Sequence, residues 1–111
     1  MLHAFSRSEQ LLGKEGLKKL AESTVAVFGI GGVGSYTVEA LARAGVGTLV
    51  LVDHDVVSLT NLNRQLVALR STIGRKKVQV AKERIMDINE NAVVHTYDTF
   101  FGAETADIFD F

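Results

Sequence analysis

The stretch 24–53 limits the possible folds of this chain more than any other part of it. Two apolar runs, 25–28 and 49–52, are separated by a glycine-rich loop and a helical pattern, and the second run ends at Asp53. The order of strand, glycine loop, helix and strand predicts two parallel strands joined by a crossover helix. The glycines of the loop satisfy G-x-G-x-x-G with one addition, and they are Gly29, Gly31, Gly32 and Gly34.

The same stretch predicts a nucleotide site. Glycines let the backbone turn tightly and approach phosphate oxygens, and the N-terminus of the following helix favours an anion. Asp53 follows Gly34 by 19 residues, which is the spacing of a carboxylate that binds a ribose hydroxyl. In the alternative interpretation, the glycines only allow close packing and Asp53 caps a turn. The pattern does not identify the nucleotide.

The other predicted elements complete a βαβαβ order. Apolar spacing favours an N-terminal helix over 8–21, which Ser8 would cap and which Gly13 and Gly16 could divide into two pieces. The remaining elements are strands over 24–29, 47–53 and 93–97 and helices over 34–45 and 75–90.

This order predicts an α/β fold with a Rossmann-like parallel sheet, the first half of a doubly wound nucleotide-binding domain. We expect the spatial strand order 3-2-1, with the first strand at an edge that another copy or a partner covers. A complete domain of this class needs further strands. We therefore interpret residues 1–111 as the N-terminal part of a longer chain, with an N-terminal helical segment over 1–22.

The composition excludes several kinds of site. With no cysteine, these residues cannot form a disulfide, a cysteine-ligated zinc site or a cysteine nucleophile. A net charge of -1 gives no general attraction to nucleic acid or membrane, and no apolar run is long enough to span a bilayer. His3, His54 and His95 lack the spacing of metal ligands, so we predict no metal site within these residues. A cytoplasmic location follows by default.

A second pattern follows the second strand. It reads D-H-D-V-V-S-L-T-N-L-N-R-Q over 53–65, and Lys77 comes next within G-R-K-K-V. After G-x-G-G-x-G, this pattern resembles the ATP-binding site of the HesA/MoeB/ThiF family, the bacterial relatives of ubiquitin-activating enzymes. The resemblance extends from Arg7 to Tyr97. The opening F-S-R-S-E-Q-L-L-G-K-E-G-L-K-K-L is most similar to the branch of this family that dehydrates threonylcarbamoyladenosine in tRNA.

The resemblance implies an ATP-dependent enzyme, with Mg²⁺, that works as a homodimer and activates a carboxylate by adenylation. In the most similar branch the carboxylate is carried by tRNA. The four glycines of the loop would hold the nucleotide, and Asp53 would hold the ribose. The positions that face the phosphates in the family are matched by Asn61, Arg64, Gln65 and Lys77.

The resemblance also implies two contributions from outside this chain. Arg7 matches an arginine that the neighbouring subunit of the dimer supplies, although it could equally be an unattached N-terminal residue. The magnesium-binding aspartate of the family follows a later strand and has no match here. Neither Asp107 nor Asp110 is assigned to metal.

The chemistry of adenylation agrees with these roles. A carboxylate attacks the α-phosphate, pyrophosphate leaves, and charge builds on phosphoryl oxygens, so the site needs positioned cations more than an acid–base pair. Arg64 can bind two phosphate oxygens and Lys77 can act as a point charge. The predicted catalytic residues are therefore Arg64, Lys77 and Arg7. Asn61 is a plausible turn former with or without a phosphate contact.

Other interpretations stay open. The same chemistry could act on the C-terminal glycine of a ubiquitin-like sulfur carrier, with a sulfur-transfer protein as partner. The chain could instead be an NAD-binding module in which the 53–65 pattern is accidental, or a nucleotide-sensing or dimerisation fragment. A basic cluster is either a contact for tRNA phosphates or a solvated helix surface, and it comprises Arg75, Lys76, Lys77, Lys82 and Arg84.

Overall fold

The computed structural model describes residues 5–99 of the protein. In chain order the elements are α1 (Ser6–Ala21), β1 (Thr24–Phe28), α2 (Gly32–Ala44), β2 (Thr48–Val52), a short 3-10 helix (Leu59–Asn61), α3 (Lys77–Ile88) and β3 (Val93–Tyr97). The strands and helices expected over 24–97 are all present. Predictions about residues 1–4 and 100–111 lie outside the described residues, and they include His3, Asp107, Asp110 and the outer boundaries of the domain.

The described strands form one parallel sheet in the order β1-β2-β3. Thr24 of β1 pairs with Thr48 of β2, which in turn pairs with Val93 of β3. This arrangement confirms the predicted βαβαβ topology and strand order, with β1 at one edge of the described sheet. The carboxyl ends of the three strands therefore meet at one edge, which we call the carboxyl edge, and the opposite one is the amino edge.

β2 is buried on both faces, which explains its unbroken apolar sequence. Leu49 and Leu51 are fully buried on one face, and Val50 and Val52 are buried on the other. Helices α2 and α3 supply much of the remaining core through Val38, Ala42, Val78, Ala81 and Ile85. No helix within residues 5–99 has the length and apolar character needed to cross a bilayer.

Two glycines let a helix approach the sheet closely, one at each edge. A Cβ atom on Gly34 of α2 would lie 1.8 Å from the carbonyl oxygen of Gly29, at the carboxyl edge. A Cβ atom on Gly47 would lie 1.7 Å from the carbonyl oxygen of Ala21, at the amino edge. Any other residue at these positions would force the backbone to shift.

The start of α1 differs from the prediction. The helix begins at Ser6 with Phe5 as its N-cap residue, so the prediction that Ser8 caps it is wrong. The ring of Phe5 lies 3.7 Å from where a Cβ atom of Gly45 would be, and this contact anchors the earlier start. Of the two glycines expected to weaken this helix, Gly13 interrupts it, with φ 74° and ψ 169°, and Gly16 lies within the helix.

The bounds of α2 follow from glycines at both ends. It begins at Gly32, two residues before the predicted start. The sequence did not indicate this start, because no capping side chain marks the glycine-rich first turn. It ends as predicted at Gly45, which has a φ of 95° and donates its N–H to the Ala42 carbonyl. Such a left-handed residue after the last turn is a common helix stop.

An ion-pair network joins α2 to α3. Arg84 Nε donates to Glu39 Oε1 at 2.5 Å, and Arg43 Nε donates to Glu39 Oε2 at 2.9 Å. These hydrogen bonds, above all the one from Arg84, hold the pKa of Glu39 below its ordinary value. The same contact raises the pKa of Arg84. Glu39 is therefore ionised at neutral pH, and the network fixes the two helices whose first turns lie at the carboxyl edge.

Candidate functional site

A cleft lies where the carboxyl ends of β1 and β2 meet the start of α3. Its volume is about 420 Å³, within the range of small-molecule sites. Ligands of open parallel sheets bind outside the carboxyl ends of the strands, which is where this cleft opens. The lining residues are Phe28, Gly29, Gly31, Val52, Asp53, His54, Asp55, Lys77 and Thr99.

The glycine loop brings the start of α2 to the rim of the cleft. Gly29 has a φ of 90°, and its N–H donates to the Val52 carbonyl at 2.8 Å. Gly31 is the N-cap residue of α2, and no side chain caps the helix there. Because the first N–H groups of a helix have no intrahelical acceptor, this end offers backbone donors and a positive dipole to an anion.

Asp53 connects the glycine loop to the segment after β2. Its Oδ2 accepts a hydrogen bond from the Ile30 N–H at 2.6 Å, and its Oδ1 accepts one from the Asp55 N–H at 2.7 Å. Asp53 therefore does cap the turn that follows β2, as the alternative interpretation expected. A carboxylate offers about four acceptor sites, so this buried side chain keeps capacity for ribose hydroxyls.

Lys77 places a buried cation in the cleft. Its side chain is 7% exposed, and it is the first residue of α3, where the helix dipole is also positive. Its Nζ lies 3.9 Å from Oδ2 of Asp55, a carboxylate that is largely exposed to solvent. At this distance the ammonium group keeps hydrogen-bond donors for a bound anion.

Residues 61–65 form a turn beside the first turn of α2. The N–H groups of Arg64 and Gln65 both donate to the Asn61 carbonyl, at 3.1 and 3.0 Å. The side-chain Cγ and Cδ atoms of Arg64 lie 3.8 Å from where a Cβ atom of Gly32 would be. Gln65 Nε2 lies 3.8 Å from the corresponding point at Gly31. The turn therefore brings two of the predicted residues to the glycine loop.

Asn61 and Arg64 also stabilise the turn itself. The buried Asn61 accepts a hydrogen bond from the Ser58 N–H at its Oδ1, at 2.9 Å, which is the role of a turn former. Arg64 Nη1 donates to the Thr60 carbonyl at 2.9 Å and to Asn63 Oδ1 at 3.0 Å. Within residues 5–99, the Nε and Nη2 groups of Arg64 make no hydrogen bond, so these donors remain available to a ligand.

Gln65 carries a buried acceptor that the described part of the protein leaves without a partner. Its Oε1 makes no hydrogen bond, although the residue is only 7% exposed. A buried acceptor in this state costs about 1–3 kcal/mol. Rotation of the amide would exchange the acceptor for an NH₂ donor at the same place. In either orientation Gln65 offers a directional polar group that a ligand can satisfy.

Arg7 is not brought to the cleft of its own chain. It is exposed in the first turn of α1, close to Phe5, which packs on Gly45 just before β2. The five residues of β2 separate this amino edge from the glycine loop, a length of about 16 Å at 3.3 Å per residue. Within one chain, Arg7 therefore lies apart from the other predicted site residues.

The basic cluster is largely paired with acids of the same chain. Arg75 binds Glu83, Lys76 Nζ lies 2.7 Å from Asp98 Oδ2, and Arg84 binds Glu39. These pairings reduce the positive field along α3, and Lys77 is turned into the cleft. The arrangement favours a solvated helix surface over a continuous contact for nucleic acid.

Three residues after β2 could hold a cation by distance alone. Asp53, His54 and Asp55 each offer one ligand atom, and these atoms lie within 4.8 Å of one another. Both oxygens of Asp53 already accept backbone hydrogen bonds, and His54 Nε2 lies 3.3 Å from Asp55 Oδ1. Each of the three residues thus makes contacts within the chain, and exposed acidic groups are common at such distances without a metal ion.

Ser35 is a contributor that the sequence analysis missed. Its Oγ accepts a hydrogen bond from the Leu66 N–H at 3.1 Å, so it connects α2 to the turn that carries Arg64. No sequence pattern indicates this contact, because the two residues are 31 positions apart. It becomes visible only once the turn is folded against the helix.

Known proteins are similar to this chain in sequence and in fold. A family model described as the ThiF family matches residues 5–110. The tRNA threonylcarbamoyladenosine dehydratase of Bacillus subtilis is 56% identical over 109 residues, which are 98% of this chain and 43% of that protein. The adenylyltransferase and sulfurtransferase MOCS3 of Dictyostelium discoideum is 39% identical over 95 residues, which are 86% of this chain and 22% of that protein. The chain thus spans less than half the length of these relatives.

A solved structure shows the same architecture. The crystal structure of the tRNA N6-threonylcarbamoyladenosine dehydratase of Escherichia coli, in complex with ATP, aligns with a TM-score of 0.92 at 41% sequence identity. The alignment covers 95% of this chain and 43% of that one. The Rossmann-like fold predicted from the sequence is therefore confirmed.

Proposed function

The chain belongs to the ThiF family, and from this premise we propose that its cleft binds ATP for the adenylation of a carboxylate. The proposed substrate is threonylcarbamoyladenosine in tRNA, and the product is its cyclic, dehydrated form. This substrate is supported by the similarity to two tRNA threonylcarbamoyladenosine dehydratases. An enzyme that uses ATP and tRNA is expected in the cytoplasm.

One observation carries this proposal: two buried polar groups with unused bonding capacity lie near the glycine loop, Gln65 beside Gly31 and Lys77 in the cleft that Gly29 and Gly31 line. Gln65 has a buried acceptor without a partner, and Lys77 has a buried ammonium group whose ion pair is long. Such groups are costly in a domain that only packs, because burial removes them from water. They are useful where a polar, anionic ligand completes their hydrogen bonds.

The residues present fit a nucleotide. Gly31 and Gly32 carry no side chain at the start of α2, so phosphate oxygens can approach the backbone N–H groups there. We assign the phosphates to these donors with Gly29 and Gly34, and the ribose to Asp53. The remaining phosphate contacts are assigned to Asn61, Arg64, Gln65 and Lys77.

The proposed reaction is an in-line displacement at the α-phosphate. A carboxylate oxygen bonds to the α-phosphorus, the bond from that phosphorus to the bridging oxygen breaks, and pyrophosphate leaves with the electron pair. Arg64 and Lys77 stabilise the charge that builds on the phosphoryl oxygens. Arg7 supplies a further cation from the partner of a homodimer, in keeping with its distance from its own cleft.

The magnesium ion that accompanies ATP needs a ligand from another part of the protein. Within residues 5–99, the group formed by Asp53, His54 and Asp55 is engaged in hydrogen bonds and ion pairs. The resemblance to the family, in which the magnesium-binding aspartate follows a later strand, is the basis for expecting that carboxylate outside this chain. Magnesium supplies charge neutralisation of the phosphates, which adds to that of Arg64 and Lys77.

A second candidate keeps the chemistry and changes the substrate. The similarity to an adenylyltransferase and sulfurtransferase favours the C-terminal glycine of a ubiquitin-like sulfur carrier as the activated carboxylate. The lower identity of that relative, 39% against 56%, places this candidate second.

Substrate-dependent exchange of pyrophosphate into ATP tests the proposal and separates the candidates. We expect the full-length protein to catalyse exchange with tRNA that carries threonylcarbamoyladenosine, and not with tRNA that lacks it. Exchange that depends on a sulfur carrier would favour the second candidate. Tight binding of NAD without any binding of ATP, measured by calorimetry, would contradict both and favour a dinucleotide-binding module.

Matched variants separate the site from the surface. Arg64→Ala and Lys77→Ala should each lower the exchange rate by about 10²–10³-fold, as expected for a group that stabilises developing charge. Arg70→Ala and Lys76→Ala remove the same charges at exposed positions and should leave exchange unchanged. Equal effects within each pair would contradict the assigned roles.

A further inference from the structure

Ser35 makes the link between α2 and the turn that carries Arg64. The residue is 3% exposed, and its Oγ accepts the Leu66 N–H at 3.1 Å. Within residues 5–99, this is the only hydrogen bond between α2 and the segment 58–70. The same hydroxyl donates its hydrogen to the Gly32 carbonyl at 3.4 Å. The lone pairs of the Ser35 oxygen therefore remain to accept the Leu66 N–H.

The hydrogen bond between Ser35 and Leu66 fixes Arg64 relative to α2, which the hydrogen bonds of Arg64 itself do not do. The hydrogen bonds of Arg64 to Thr60 and Asn63 lie within the turn, so they fix the side chain relative to the turn alone. Leu66 continues the same turn, and its N–H attaches the turn to α2. The stem of Arg64 then lies against Gly32, 3.8 Å from where a Cβ atom would be.

We propose that Ser35 is a positioning residue for adenylation, which holds the guanidinium of Arg64 at the N-terminus of α2 through the Leu66 N–H. The inference rests on the proposed function, since it takes Arg64 to act on the phosphates. Positioning matters because a displacement of about 1 Å at a reacting site can cost on the order of 10²-fold in rate. Loss of one anchoring hydrogen bond allows a smaller displacement.

The test compares Ser35→Ala with Thr37→Ala in the full-length protein. Thr37 lies two residues further along α2 and donates its hydroxyl to the Val33 carbonyl at 3.0 Å, so its loss removes a helix hydroxyl without touching the turn. We expect Ser35→Ala to lower kcat for pyrophosphate exchange about tenfold and to raise KM for ATP by a smaller factor, because Arg64 is assigned both to the phosphates of bound ATP and to the charge that builds in the transition state. Thr37→Ala should match the wild type.

Two more conservative variants control for the possibility that Ser35→Ala lowers the rate by disturbing folding. Ser35→Thr keeps the acceptor oxygen and should restore most of kcat. Ser35→Cys replaces it with a weak acceptor of similar size and should give an intermediate loss. Circular dichroism of each variant, taken at the assay temperature, confirms that the rates belong to folded protein. Equal rates in the Ala, Cys and Thr variants would overturn the proposal.

A double-mutant cycle shows whether Ser35 acts through Arg64. In a background of Arg64→Ala, the further change Ser35→Ala should lower the rate by less than about threefold, because coupled residues are not additive. A full tenfold loss in that background would contradict the proposal. If the wild-type protein catalyses no exchange, the proposed function is contradicted. If the wild type catalyses exchange and Ser35→Ala does so at the same rate, only the role of Ser35 is overturned.

Discussion

The carboxyl and amino edges of the sheet use the same steric device with different surroundings. At each edge a glycine allows a helix to lie close to the chain next to a strand. Gly34 of α2 lies against the carbonyl of Gly29, and Gly47, just before β2, lies against the carbonyl of Ala21 at the end of α1. The carboxyl edge adds Asp53, Gln65 and Lys77, all of them buried. The close approach serves packing at both edges, and only the polar groups distinguish a site for a ligand.

Cleft size does not make this distinction. The amino edge has clefts of about 470 and 520 Å³, against about 420 Å³ at the carboxyl edge. The two amino-edge clefts share Phe5, Asn89 and Asn91, and the side chain of Asn89 accepts the Asn91 N–H at 3.2 Å. In the described residues, the buried side-chain atom without a partner lies in Gln65, beside the glycine loop. Unused bonding capacity is therefore the better guide to function.

The largest effect is expected for the proposed homodimer, in which Arg7 of one subunit would act at the cleft of its partner. Arg7→Ala and Arg64→Ala should each lower exchange by about 10²-fold or more when every subunit carries the change. An isolated heterodimer of the two variants should regain about half of the wild-type activity, because one of its two symmetric sites is intact. Background activity in a verified heterodimer would show that Arg7 does not act from the partner.

The paired glycines are expected to have similar effects on stability. Gly34→Ala and Gly47→Ala should each lower the free energy of unfolding by about 3 kcal/mol, because a methyl group cannot fit against a backbone carbonyl. Denaturant unfolding measures both. A change of under about 1 kcal/mol at either position would contradict the close approach seen there.

Gly31→Ala should separate binding from folding at the carboxyl edge. The nearest atom to a Cβ at this position is Gln65 Nε2 at 3.8 Å, an ordinary contact, so stability should change by less than about 0.5 kcal/mol. The methyl group would stand where phosphate oxygens approach α2, and ATP affinity should fall about tenfold, or 1.4 kcal/mol. Calorimetry that finds unchanged affinity would place the phosphates elsewhere.

The smallest effect concerns the network that joins the two helices of the carboxyl edge. Because the folded state lowers the pKa of Glu39, its contribution to stability is present above about pH 4.3 and is lost as the pH falls through the folded value. Glu39→Gln should cost about 1 kcal/mol at pH 7 and should lose less stability than the wild type as the pH falls through the lowered pKa of Glu39. Unfolding curves with parallel pH dependence would contradict this role.

Strands β1 and β2 were predictable because each contains a short apolar run that ends at a glycine or an acid. Gly45 likewise marked the end of α2. The start of α1 was not predictable, because it depends on a contact between Phe5 and Gly45, 40 residues apart in sequence. Chain patterns describe local preferences, and this contact exists only in the folded protein.

The sequence predicts the site residues as a set but does not indicate several of the contacts that the structure shows for them. Asp53 and Asn61 turn out to hold the loop and the turn through backbone N–H groups, in addition to any ligand contact. Replacing either residue would therefore affect folding and binding together. The unpartnered oxygen of Gln65 and the Ser35 link depend on tertiary packing, so no spacing in the sequence indicates them. The ligand roles of these residues stay predictions.

Hydrogen exchange with a non-hydrolysable ATP analogue tests most directly that the carboxyl edge is the ligand site. In the full-length protein, the analogue should slow exchange at the amides of 30–35 and 64–66, where the glycine loop and the Arg64 turn lie. Amides of 89–93, at the amino edge, should exchange at the same rate with and without it. Protection confined to the amino edge, or none at 30–35 when the analogue is saturating, would contradict the account.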